Sequence, residues 1–114
     1  LSIFSQAMSI ASTISNLFLK TELFRNGARL HRLMGDLDRA GRLLDEMRPW
    51  IDKMGDGIQR LFFLCEEGHL ALALGQPAKP HLEQAEQLLG RLGLGPETVA
   101  GESVEQLRAS QGPR

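Results

Sequence analysis

The chain has 114 residues, enough for one small domain whose fold buries somewhat under ~70% of the unfolded surface. Its 42% hydrophobic and 24% charged content is that of an ordinary globular protein and disfavours disorder of the whole chain, and a net charge of -1 gives no bulk attraction to nucleic acid or acidic lipid. The lone Cys65 excludes an internal disulfide and a zinc framework, which leaves a reducing cytoplasm as the default compartment.

Residues Leu1 to Leu19 carry no charge, but five serines, Gln6, Thr13 and Asn16 dilute their apolarity. With no positive segment in front, neither a signal peptide nor a membrane span is expected. The first residue is Leu, so the chain reads as a piece of something longer. Phe4, Ala7, Ile10, Ala11 and Ile14 form a helical apolar stripe. The same spacing returns at Leu44, Met47, Trp50, Ile51 and Met54, and again at Leu82, Ala85, Leu88, Leu89 and Leu92. Periodicity of this kind is the mark of a helical solenoid.

Residues 1–15 therefore read as the second helix of a truncated repeat, ended by the turn chemistry of Ser15-Asn16. The alternative is one helix from Ser2 to Met34, because no proline interrupts it. Repeat 1 spans 16–55 and repeat 2 spans 56–93. Each opens with a helix, Leu17 to Met34 and Gly57 to Leu74, closed by a glycine at Gly35 and Gly75, 40 residues apart. Glycine just past a helix end supplies the left-handed backbone that ends it cheaply. Ala28 and Gly68 are small at matching places, as a close helix crossing requires.

A second helix follows each glycine. Asp36 is the expected N-cap of the first, which runs to Met54 and should be kinked or split by Pro49. Trp50 is expected in the core against that bend. Gln76 to Pro80 opens the second, where proline is tolerated in the first turn. Ala40 and Ala78 match as small residues facing the preceding helix, and Gly55 and Gly93 end the second helices. Residues 94–110 should form a short capping helix on Val99, Val104 and Leu107, with a polar outer face, and 111–114 a disordered tail.

Gly35-Asp36-Leu37-Asp38-Arg39-Ala40 with Leu44, preceded by the small Ala28, resembles a tetratricopeptide repeat. Gly68, Gly75, Ala78 and Leu82 repeat the pattern with a shorter loop, over roughly Leu17 to Leu92. The usual tyrosine is His31 or Ala71 here, and the unit exceeds the family's usual length of about 34 residues. The resemblance implies an all-α fold of antiparallel helix hairpins stacked as a short right-handed solenoid. Repeats of this length resemble those in large bacterial regulators, such as multidomain kinases, cyclases and transcriptional activators. It implies a protein- or peptide-binding module acting as a regulatory or scaffold segment. The alternative is a ligand- or signalling-peptide-sensing domain that controls an attached effector.

The resemblance also implies a concave groove, into which Arg25, Arg29, Arg32 and His69 would point. Arginine can grip a carboxylate there by paired hydrogen bonds. The plainer reading is a solvated face, with Arg25 near Glu22 and Arg32 near Asp36. Cys65 and His69, with Glu66 nearby, share a helix face but supply too few ligands for a metal. His31 and His81 show no partner pattern. No catalytic arrangement, metal set, cofactor motif or nucleic-acid signature is legible, so no enzyme activity, cofactor or nucleic-acid partner is expected. A homodimer through the apolar face of Phe4, Ile10 and Ile14 is a further expectation.

Overall fold

The structure, a computed structural model, describes residues 17–111. Those residues form five helices and no strand, so the chain is all-α over the described region. They are α1 (Leu17–Leu33), α2 (Leu37–Met54), α3 (Ile58–Ala73), α4 (Lys79–Arg91) and α5 (Val99–Ser110). The stripe of Phe4, Ile10 and Ile14, the break at Ser15-Asn16, and residues 112–114 lie outside the described residues. Among the described residues no helix is long and apolar enough to cross a membrane. Two compact units divide the chain, residues 1–53 and 54–114.

In the first unit, α1 buries Thr21, Phe24, Gly27, Ala28 and His31, one helical face, and α2 buries Ala40, Leu44, Met47 and Ile51. The α1 end is a full left-handed glycine motif. Gly35 has φ of +84°, its N–H donates to the Arg32 carbonyl at 3.0 Å, and the Asp36 N–H donates to the His31 carbonyl at 2.8 Å. These bonds satisfy carbonyls that the helix end would otherwise leave open. Asp36 then caps α2, its carboxylate accepting the Arg39 N–H at 3.3 Å. Pro49 removes one amide donor from α2, yet the helix runs unsplit from Leu37 to Met54.

The position of Trp50 differs from the core role expected for it. Trp50 is half-buried and Ile51 takes the buried place. Neighbouring residues on a helix point about 100° apart, so only one of the two can face inward. The Trp50 ring instead meets Phe24 edge-on, with centroids 4.7 Å apart and planes at 83°, which ties α1 to α2. The Lys20 ammonium lies 5.5 Å from the Trp50 centroid, within reach of its π-face.

In the second unit α3 packs against α4 and α5, and α4 packs against α5. The core holds Leu61, Leu64 and Cys65 from α3, Ala78, Leu82, Ala85 and Leu88 from the α4 segment, and Ala100, Val104 and Leu107 from α5. Gly75, at φ +75°, repeats the Gly35 motif: its N–H donates to Leu72 at 3.0 Å and the Gln76 N–H to Ala71 at 2.8 Å. Gly55 and Gly93 also take positive φ, as their helix-ending places require.

The smallness of Gly68 has a visible cause. A Cβ there would stand 2.7 Å from Leu107 Cδ2, so α5 lies directly across α3 at this point. Thr98 caps α5: its hydroxyl accepts the Gly101 N–H at 3.0 Å and donates to the Gly95 carbonyl at 2.7 Å. Gly101 is held so close to the preceding loop that a Cβ would meet the Gly95 carbonyl oxygen at 2.3 Å. The outer side of α5 carries the exposed Glu102, Glu105, Gln106 and Arg108, but Val99, expected in the apolar stripe, is 71% exposed in the first turn, so of that stripe only Val104 and Leu107 pack inward. Arg108 joins α5 to α4 through Glu86, 3.2 Å from its Nε, and also pairs with Glu105.

Candidate partner-binding surface

α1 is the most basic helix described, with Lys20, Arg25, Arg29 and Arg32 against the single acid Glu22. Its buried face is fixed by Thr21, Phe24, Ala28 and His31, which leaves the arginines to the flank and the outer side. Arg29 is exposed, while Arg25 and Arg32 are half-buried at the margin. Arg25 donates from Nη2 to Glu22 Oε1 at 2.8 Å, the local pair expected from their spacing. That pair holds the guanidinium near the helix surface at little gain in stability, since half-exposed ion pairs are worth about 0–1 kcal/mol.

The three arginines thus share one side of α1 but not one environment. His69 sits half-buried on α3, in the second unit. Asp36 is engaged across the α1–α2 turn: Arg39 Nε lies 3.5 Å from its carboxylate, and His31 Nδ1 3.8 Å. The absence of a partner for His31 in the sequence pattern is corrected here. The residues are five apart, a spacing that is remote on a helix but brought together by the turn that bonds Asp36 N–H to the His31 carbonyl.

Cys65, on α3, is buried in the core that α3 shares with α4 and α5. Burial pushes its thiol pKa up, a hydrogen bond with Ser103 pulls the other way, and the Glu66 carboxylate adds to the rise. A protonated, enclosed thiol is a poor metal ligand and a poor nucleophile. Among the described residues no three His, Cys, Asp or Glu side chains gather where a metal could sit. Glu66 is itself buried in α3. His81 packs beside Gly68, and its Nδ1 is buried with no hydrogen-bond partner among the described residues.

Exposed apolar side chains accompany the arginines on α1. Phe18 is 54% exposed near its start, and Leu33 and Met34 are 64% and 53% exposed at its end. Residues 18, 29 and 33 fall within a single sector of the helix, opposite the buried face. The surface so formed has a cation between apolar ends, which suits a chain that offers a carboxylate and a hydrophobic side chain together. Helical spacing gives the arginine stripe, but whether the apolar Leu33 and Met34 beside it face in or out depends on which face of α1 is buried. Comparison with protein-family models, with curated proteins and with solved structures found no match to this chain.

Proposed function

We propose that the chain is a protein- or peptide-binding helical-repeat module, stacked as antiparallel hairpins in a short right-handed tetratricopeptide-like solenoid that α5 caps. In this reading it serves as a regulatory or scaffold segment of a larger cytoplasmic bacterial protein and catalyses no reaction itself. The observation that carries the proposal is the recurrence of one helix ending at Gly35 and Gly75, 40 residues apart, with the same pair of hydrogen bonds. Repetition of a helix-turn unit is how repeat proteins extend a surface for partners.

Arg29 is the residue that meets the partner most directly, because it is exposed on α1. Arg25, held by Glu22, and Arg32 border it on the same helix. The test is selection from a displayed random-peptide library with the whole chain as bait, repeated with Arg29→Glu. The proposal expects a set of carboxylate-bearing peptides that the variant no longer retains. Recovery of no peptide above background, or the same peptides with both baits, overturns the assignment.

A further inference from the structure

We draw no further inference here: the strongest candidate, the exposed apolar side chains of Phe18 and Leu33 on the outer side of α1, is an unpartnered helix surface, and nothing in the structure shows what covers it.

Discussion

At Gly35 the chain leaves α1 and enters α2 through Asp36, whose carboxylate caps the new helix and lies beside the His31 imidazole. At Gly75 the same backbone bonds lead instead through Gln76 and Pro77 to Ala78, and α4 begins without a side-chain cap and with Pro80 in its first turn. Both routes solve one problem, the unsatisfied amides of a first helical turn: one supplies an acceptor, the other removes a donor. The comparison separates what the two helix ends share, the left-handed glycine, from what differs between them, the start of the next helix. The helices that precede the turns diverge further, since α1 places Arg25 where α3, shifted by the same 40 residues, places the buried Cys65.

The largest expected effects test whether the second unit depends on its third helix. Leu107→Ala removes a side chain with 0% exposure that lies over Gly68, and should cost about 2–5 kcal/mol in chemical denaturation. A loss below about 1 kcal/mol would show that α5 is not packed as described. Gly101→Ala forces a methyl toward the Gly95 carbonyl and should cost about 1–3 kcal/mol by the same measurement. Because the obstacle is backbone, relaxation of a neighbouring side chain cannot relieve it.

Next in size come paired substitutions at the two turns. Gly35→Ala and Gly75→Ala each place a Cβ in open space but in left-handed backbone, at a cost of roughly 1–2 kcal/mol. Equal losses sharpen the equivalence of the two turns, and a large loss at one with none at the other breaks it.

A smaller effect separates the buried Cys65 from the arginines in the equivalent stripe. The folded chain binds the thiol proton more tightly than the unfolded chain, so this contribution to stability is complete below the thiol's ordinary range and falls as pH rises through it. Denaturation midpoints should therefore decline above roughly pH 9, and Cys65→Ala should flatten the decline. An unchanged slope in the variant refutes the assignment to Cys65. Smallest of all, Arg29→Glu should shift stability by no more than about 0.5 kcal/mol, since its side chain is exposed.

Much of the backbone was legible because glycine and cap chemistry are local. The four positive-φ glycines fall where helix ends were expected, and Asp36, Val104 and Leu107 take the places their patterns assign. What escaped was set by choices that spacing cannot make. Trp50 and Ile51 are adjacent and both apolar, so periodicity alone does not say which turns inward. The approach of His31 to Asp36 needs the turn geometry, and the hydrogen bond between Cys65 and Ser103 needs α5 laid across α3. The arginine stripe followed from helical spacing, whereas its gradation from paired Arg25 to exposed Arg29 depended on the buried face of α1.

The most direct measurement of the repeated turn is amide hydrogen exchange at Asp36 and Gln76 in the whole chain, native and with each glycine replaced in turn. Both amides should be protected in the native chain. Gly35→Ala should release Asp36 while sparing Gln76, and Gly75→Ala the reverse. Exchange of either amide at the rate of unstructured peptide in the native chain would contradict the claim that the two glycines end their helices in the same way.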